Sequence, residues 1–137
     1  MAKNILETIA ACARQRVALA QTENSLDVLQ IQCRALGRGR GERFRAALKK
    51  PGLSFICEVK RASPSKGIIA KDFPYLEIAE DYERAGADAI SCLTEPKWFL
   101  GSDRIFEEIR QTVETPMLRK DFTVDQYQLY QARRMGA

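Results

Sequence analysis

The chain has 137 residues, of which 45% are hydrophobic and 29% charged, a composition typical of a folded domain and not of a disordered or fibrous protein. The formal net charge of +4 indicates a mildly basic surface, and no uncharged apolar run is long enough to cross a membrane. The first residues include Lys3 and Glu7 and lack the apolar core of a secretion signal, so we expect a cytoplasmic protein with no membrane partner.

The sequence lacks the commonest patterns of zinc sites and of nucleic-acid-binding surfaces. Four cysteines form no CxxC pair and the chain has no histidine, so the commonest zinc sites are excluded and we expect reduced, structural cysteines. Positions 34–50 are basic but contain one aromatic residue, Phe44, and lack a stacking platform. We therefore expect no nucleic-acid partner. A mildly positive field would instead suit a phosphorylated, carboxylated substrate.

The first fifty residues show the apolar period of 3.6 that is typical of helices. Helices are predicted over 5–21, 25–36 and 42–50. Ser25 is the expected N-cap of the second helix and Gly37 its end. The glycine-rich GRGRG that follows indicates a flexible connector.

From Leu53 onward, short apolar runs alternate with amphipathic segments of about a dozen residues. The predicted order is a strand over 53–59, a helix over 75–86, a strand over 87–94, a helix over 102–113, a strand over 116–122 and a helix over 123–136. Ser102 is the expected cap of the second of these helices, and Thr123 with Gln126 is spaced like a capping box for the third. This alternation predicts three β/α units and a parallel sheet.

Two architectures hold such units, a doubly wound sheet and a β/α barrel. RASPSKG (61–67), after the first strand, matches neither GxGxxG nor GxxxxGK[ST], which disfavours a nucleotide-binding doubly wound sheet. A barrel gathers its functional residues at the carboxyl ends of its strands. Here each predicted strand ends in polar or charged residues: Glu58 and Lys60, then Thr94 and Glu95, then Arg119, Lys120 and Asp121.

Three blocks, EVKRASPSKG (58–67), LTEPKWFLGS (93–102) and MLRKDFTVDQYQLYQARRMGA (117–137), closely resemble blocks of the indole-3-glycerol-phosphate synthase family of tryptophan biosynthesis. The N-terminal helices resemble that family's helical extension. The resemblance implies an α/β fold of the (β/α)8 TIM-barrel type. It implies a single partial domain over 1–137, with the helical extension over 1–50 and the first three β/α units over 51–137.

The resemblance also implies a reaction. Members of the family are lyases, more narrowly decarboxylases, that need no metal and no organic cofactor. They close the ring of 1-(2-carboxyphenylamino)-1-deoxyribulose 5-phosphate, a small anilino sugar phosphate, with loss of carbon dioxide and water. The product is indole-3-glycerol phosphate.

Five residues resemble family site residues by their motif positions. Lys120 resembles the general acid that protonates the ribulose carbonyl oxygen, and Lys60 the lysine that holds the substrate carboxylate and shares proton transfers. Glu58 resembles the carboxylate that positions both lysines. Ser63 resembles a substrate-contacting residue of a mobile loop, and Phe99 the aromatic residue that packs against the anthranilate ring.

Each of these residues also has a structural interpretation. Charges at strand ends are often only solvated, and Lys120 beside Asp121 could be a surface ion pair. Ser63 is a typical turn former, Phe99 could cover the core, and Glu95 could cap a turn. The chain departs from the family pattern at Leu100, where a small or polar residue is usual, and at Pro74, which comes one position early.

The length of the chain limits what the resemblance implies. A (β/α)8 barrel needs about 250 residues, so we expect the family's catalytic glutamate and phosphate-binding loops beyond Ala137. We therefore expect a truncated chain, one half of a split enzyme that needs a complementing C-terminal half, or a self-associating assembly. Turnover by this chain alone is not expected.

Two other functions are weighed beside this one. Phosphoribosylanthranilate isomerase is another phosphate-binding barrel enzyme, but SPSKG and LRKDF do not fit it. A non-catalytic, self-associating half-barrel fits the expected open strand edges.

Overall fold

The structure is a computed structural model that describes residues 4–137. Its elements are α1 Ile5–Glu23, α2 Leu26–Ala35, α3 Gly41–Leu48, β1 Ile56–Val59, β2 Ala62–Ser63, β3 Gly67–Ile68, α4 Tyr75–Arg84, β4 Ala89–Leu93, α5 Asp103–Thr112, β5 Met117–Lys120 and α6 Gln126–Met135. Contacts divide the chain into two compact units. One comprises the described residues up to Arg38 with Phe122–Arg134, and the other Gly39–Asp121 with Met135–Ala137. The division into 1–50 and 51–137 stays a prediction.

The first unit contains α1, α2 and nearly all of α6. Asn4 begins α1, its side-chain oxygen accepting the N–H of Leu6 at 3.1 Å. The prediction that Ser25 caps α2 is confirmed, since its Oγ accepts the N–H of Val28 at 3.4 Å. The buried core of this unit is Val17, Leu29, Cys33 and Tyr127.

Polar contacts tie α6 to the ends of α1 and α2 within this unit. The hydroxyl of Tyr127 donates to the carbonyl oxygen of Asn24 at 2.8 Å and lies 3.2 Å from that of Ala20. Arg133 Nη2 donates at 2.8 Å to the carbonyl oxygen of Gly37, just beyond α2. Carbonyl groups at helix ends lack intrahelical partners, and these side chains supply them.

The start of α6 differs from the prediction. A capping box of Thr123 with Gln126 is wrong, because the helix begins at Gln126 itself. The carboxylate of Asp125 accepts the N–H of Tyr127 at 2.8 Å, and Oε1 of Gln128 accepts the N–H of Asp125 at 3.2 Å. The reciprocal pair of a capping box is present, two residues later than expected.

The second unit is built on a parallel sheet with strand order β1-β4-β5. Ile56 lies opposite Ala89, and Ile90 lies opposite Met117. The spatial order of the strands follows their order in the chain, as it does in a β/α barrel, whereas a doubly wound sheet reverses direction at a switch point. The predicted α/β class with parallel strands is confirmed, and the arrangement is consistent with part of a TIM barrel.

One face of this sheet packs against helices. The core comprises Val59, Ile90, Cys92 and Met117 from the strands, with Ala79, Phe106, Ile109 and Val113 from α4, α5 and the residue after α5. The prediction that Ser102 caps α5 is confirmed by an Oγ contact of 3.1 Å to the N–H of Ile105. Burial, with the nearby Asp103, raises the pKa of the Cys92 thiol to about 12, so Cys92 is a small apolar core residue.

The segment between β1 and α4, expected to be a mobile loop, contains an antiparallel hairpin. Ala62 lies opposite Ile68, and Ser63 lies opposite Gly67, which has a φ of 64°. Glycine adopts such a left-handed conformation without the steric cost that a Cβ brings. The carbonyl oxygen of Arg61 accepts two further N–H groups, at 2.9 and 3.1 Å, which close the base of the hairpin.

None of the helices within residues 4–137 combines the length and the apolar character that a membrane crossing requires.

Candidate active site

The two faces of the sheet differ because successive strand residues point to opposite sides. The face away from the helices carries, row by row in register, Glu58, Ser91 and Leu118, then Leu93 and Lys120. Lys60 follows Val59, whose partner is Cys92, and therefore lies on this face beside Leu93. These six residues are named the inner face. Three of the five predicted site residues belong to it.

Glu58 and Lys60 form an ion pair on the inner face. Lys60 Nζ donates to Glu58 Oε1 at 2.6 Å, and each side chain is 34% exposed. An ammonium group has three donors, so two stay available for a ligand. From the helix side, the Tyr82 hydroxyl donates to the carbonyl oxygen of Glu58 at 3.1 Å. Burial, with Cys57 and Glu58 nearby, raises the pKa of Tyr82 and keeps this donor protonated.

Lys120 ends β5 with an exposed side chain, and its backbone is firmly held. Thr94, which is 2% exposed, donates its N–H to the Lys120 carbonyl oxygen at 3.0 Å and its Oγ1 to Asp121 Oδ2 at 2.8 Å. The side chain of Asp121 is 1% exposed and lies 3.8 Å from the Arg119 guanidinium. The interpretation of Lys120 and Asp121 as a surface ion pair is therefore wrong, because this carboxylate is buried.

Arg119 joins the end of β5 to the start of α5. Its Nε and Nη2 donate to Asp103 Oδ1 at 3.2 and 2.8 Å, and its side chain is only 6% exposed. Asp103 is the first residue of α5, where a carboxylate is favoured by the helix dipole. The strand end that carries Lys120 is thus anchored on the helix side as well.

Phe99 lies in the loop between β4 and α5, and Glu95 organises that loop. The Glu95 carboxylate, 1% exposed, accepts the N–H groups of Lys97 at 3.1 Å, Trp98 at 2.7 Å and Phe99 at 3.1 Å. The interpretation of Glu95 as the cap of a turn is confirmed.

The same loop closes tightly on the end of β4. The N–H of Gly101 donates to the carbonyl oxygen of Glu95 at 2.9 Å. A Cβ at Gly101 would lie 2.1 Å from the carbonyl oxygen of Leu93, so glycine alone fits. Leu100 has a φ of 52°, in the left-handed region. That backbone favours a small or polar residue, such as glycine or asparagine, over leucine at this position.

Ser63 lies in the hairpin after β1. Its Oγ accepts the N–H of Lys66 at 3.2 Å and lies 3.5 Å from the Oγ of Ser65. These contacts agree with the interpretation of Ser63 as a turn former. Its contact with substrate stays a prediction.

Lys60 and Lys120 flank Leu93 on the inner face. Neighbouring strands are about 4.8 Å apart, so the two lysine backbones are about 10 Å apart, with flexible side chains that can approach one ligand between them. Two ammonium groups and one carboxylate give this face a net positive charge, which favours an anion. Within residues 4–137, no group of three or more His, Cys, Asp or Glu side chains is placed to hold a metal ion.

Ser91 is a residue of the inner face that the sequence did not lead us to expect there. It lies in register between Glu58 and Leu118, is 4% exposed, and its Oγ has no hydrogen-bond partner among the described residues. A serine inside an apolar strand attracts little notice. The available signal was the alternation along β4, which places position 91 on the same side as the charged strand ends.

The sequence of this chain is similar to those of known proteins over nearly its whole length. Residues 6–137 match the family model for indole-3-glycerol phosphate synthase. Proteins named indole-3-glycerol phosphate synthase from Ruminiclostridium cellulolyticum and Endomicrobium trichonymphae are 49% and 48% identical over 133 residues, which is 97% of this chain and 51% and 52% of theirs. One from Lactiplantibacillus plantarum is 57% identical over 94 residues, 69% of this chain and 36% of its own.

The chain spans about half the length of the first two relatives, 51% and 52%. The family match nevertheless covers almost every residue that the structure describes, the inner face included. The chain belongs to the indole-3-glycerol phosphate synthase family.

Proposed function

We propose that this chain supplies the acid side of an indole-3-glycerol-phosphate synthase active site. The observation that carries the proposal is the shared inner face of Glu58, Lys60 and Lys120, at the carboxyl ends of parallel strands. The substrate is 1-(2-carboxyphenylamino)-1-deoxyribulose 5-phosphate. It loses carbon dioxide and water to give indole-3-glycerol phosphate.

Lys120 acts as the general acid. As the ring carbon that bears the carboxylate attacks the ribulose carbonyl carbon, Lys120 gives a proton to the carbonyl oxygen. Loss of carbon dioxide restores the aromatic ring, and the new hydroxyl group then leaves as water. A positioned acid of this kind contributes about 100-fold to 10,000-fold to a rate.

Lys60 holds the substrate carboxylate with the donors that its bond to Glu58 leaves available. Glu58 fixes the direction of the Lys60 side chain, which lowers the entropy lost when the ligand binds. Lys60 also shares proton transfers with Lys120. Ser63 contacts the substrate from the hairpin, and Phe99 packs against the anthranilate ring.

The division of the chain into a helical extension over 1–50 and barrel units over 51–137 belongs to the same proposal. So does a cytoplasmic location, supported by the four free cysteines within the described residues. We also propose that the inner face is covered in the active assembly by a complementing C-terminal half or by a second copy. Ile56 and Leu118, 48% and 42% exposed, support this proposal.

The test is product formation by this chain mixed with a polypeptide carrying the remaining half of the Ruminiclostridium cellulolyticum relative. We expect turnover from the mixture, since a complete (β/α)8 barrel takes about 250 residues. Lys120→Ala should lower kcat by about 100-fold or more, because the general acid is removed.

Lys49→Ala is the matched control, since this exposed lysine follows α3 and belongs to none of the strands that form the inner face. It should leave kcat unchanged. Equal activity of Lys120→Ala and Lys49→Ala in a folded complex would contradict the role of Lys120. A mixture that folds and binds but never turns over would contradict the proposed function.

A further inference from the structure

A buried carboxylate with no assigned part in the reaction lies beside the inner face. Glu95 follows Thr94 at the end of β4 and is 1% exposed. Removal of a carboxylate from water is costly unless its oxygens are hydrogen-bonded. Both Glu95 oxygens are used: Oε1 accepts from Lys97, and Oε2 from Trp98 and Phe99. Its bonds to three consecutive amides determine the backbone path of the loop.

Two further contacts hold the rest of this loop. The carbonyl oxygen of Glu95 accepts the Gly101 N–H at 2.9 Å, and Gly101 sits against the Leu93 carbonyl group with no room for a side chain. Lys97 Nζ lies 4.8 Å from the centre of the Trp98 ring, a cation–π contact. Leu100 adopts a left-handed backbone conformation, which is strained for leucine, so the surrounding contacts must hold the loop in it.

We infer that Glu95 is a positioning residue that acts through Phe99. It fixes the backbone of Phe99 beside the strand end at which Leu93 separates Lys60 from Lys120. The role of Glu95 in ligand binding rests on the proposed function, in which Phe99 packs against the anthranilate ring. The ordering of residues 97–99 by Glu95 does not rest on it and is tested separately.

The chain offers a local probe for the first test. Trp98 is the one tryptophan in the sequence, and its backbone N–H donates a hydrogen bond to Glu95. We expect Glu95→Ala to shift Trp98 emission to longer wavelength and to raise acrylamide quenching of Trp98 about twofold or more. The reason is that three hydrogen bonds from backbone N–H groups to the carboxylate are lost. Amide hydrogen exchange at 97–99 should rise about tenfold or more. Glu95→Gln, which keeps one acceptor oxygen, should give an intermediate result.

Glu83→Gln is the matched control. Glu83 is a second carboxylate that accepts backbone N–H groups, those of Glu114 and Thr115, which precede β5, whereas the loop of residues 95–101 follows the carboxyl end of β4. The Glu83→Gln substitution should lower stability without changing Trp98 emission or amide exchange at 97–99. If Glu95→Ala changes Trp98 emission and amide exchange at 97–99 no more than Glu83→Gln does, the positioning role of Glu95 is overturned.

The second test uses the complemented enzyme. We expect Glu95→Gln to raise KM by about tenfold, with a smaller change in kcat, because a displaced aromatic contact weakens substrate positioning. A stability effect alone would leave KM unchanged in the folded fraction. An altered Trp98 spectrum with an unchanged KM would overturn the link to the substrate. If the unsubstituted complex shows no turnover, the proposed function and the role of Glu95 in substrate binding fail together. The fluorescence and hydrogen-exchange results still decide whether Glu95 orders residues 97–99.

Discussion

Leu100 shows at the scale of one residue how a loop constrains sequence. Its φ of 52° lies in a region where a Cβ crowds the neighbouring carbonyl oxygen. Asparagine and glycine enter this region readily, whereas leucine is strained there. The bonds from Glu95 and Gly101 on either side hold the conformation in place.

We predict that Leu100→Asn is more stable than Leu100→Ala by about 0.5–1 kcal/mol. Both substitutions remove the leucine side chain, but asparagine relieves the left-handed strain that alanine keeps. Urea unfolding of the two variants measures the difference directly. Equal stability would mean that the backbone at position 100 relaxes once the leucine is gone.

The charged strand ends were predictable residue by residue, and so was the pairing of Glu58 with Lys60, but the partner of Asp121 was not. Glu58 and Lys60 are two apart, so a shared face followed from strand geometry alone. Asp121 looked like the natural partner of its neighbour Lys120, yet it bonds to Thr94 on the adjacent strand. That choice depends on the register of β4 against β5, which the local pattern does not contain.

Among the elements, the end of α4 is tied to the segment before β5 by one carboxylate. Glu83 Oε2 accepts the N–H of Glu114 at 2.8 Å and the N–H and hydroxyl of Thr115 at 2.6 Å each. The Thr115 hydroxyl bond, with the backbone bonds and the nearby Arg110, lowers the pKa of Glu83 below its ordinary 4.5. The ionised form is therefore the one that the fold stabilises.

The sign of the pH dependence follows from this lowered pKa. The contribution of Glu83 to the free energy of unfolding is fully present above pH of about 4.5 and is lost as the pH falls through the lower folded pKa. We predict that Glu83→Gln costs about 1–2 kcal/mol at pH 7 and that the difference from the unsubstituted chain narrows below pH 4. Thermal unfolding of both chains from pH 3 to 7 measures this stability difference. A constant difference across this range would contradict the assignment.

Elements with strong local signals were predicted well, and those without were not. Ser25 and Ser102 cap their helices as expected. The start of α6 was misplaced because Asp125–Gln128 and Thr123–Gln126 share the same spacing of three. The β2–β3 hairpin was missed because strands of two residues are too short to show an apolar period.

At the scale of the whole molecule, β1 and β5 each pair with β4 only, among the residues that the structure describes. Unpaired strand edges and partly exposed apolar residues such as Ile56 and Leu118 favour association. We predict dimers or larger species of the 137-residue chain at micromolar concentration, measured by light scattering. Addition of a complementing half should convert them to a one-to-one complex.

Leu118→Ser should weaken this association, since Leu118 belongs to the inner face. Leu76→Ser, on the outer helix α4, is the control and should not. A chain that stays monomeric at every concentration, with its secondary structure intact, would show that the inner face needs no cover.

The strand order β1-β4-β5 has a kinetic consequence. β4 pairs with β1, and β5 pairs with β4, each across a connection that contains one α-helix, so the paired residues Ile56 and Ala89, or Ile90 and Met117, lie about 30 positions apart. Each pairing therefore requires a long loop to close first, which makes the parallel sheet slower to form than its helices. Because β4 pairs on one side with a strand made earlier and on the other with one made later, the sheet can extend from a single edge. The sheet can therefore be assembled in the order of synthesis, with β4 docking on β1 before β5 has been made.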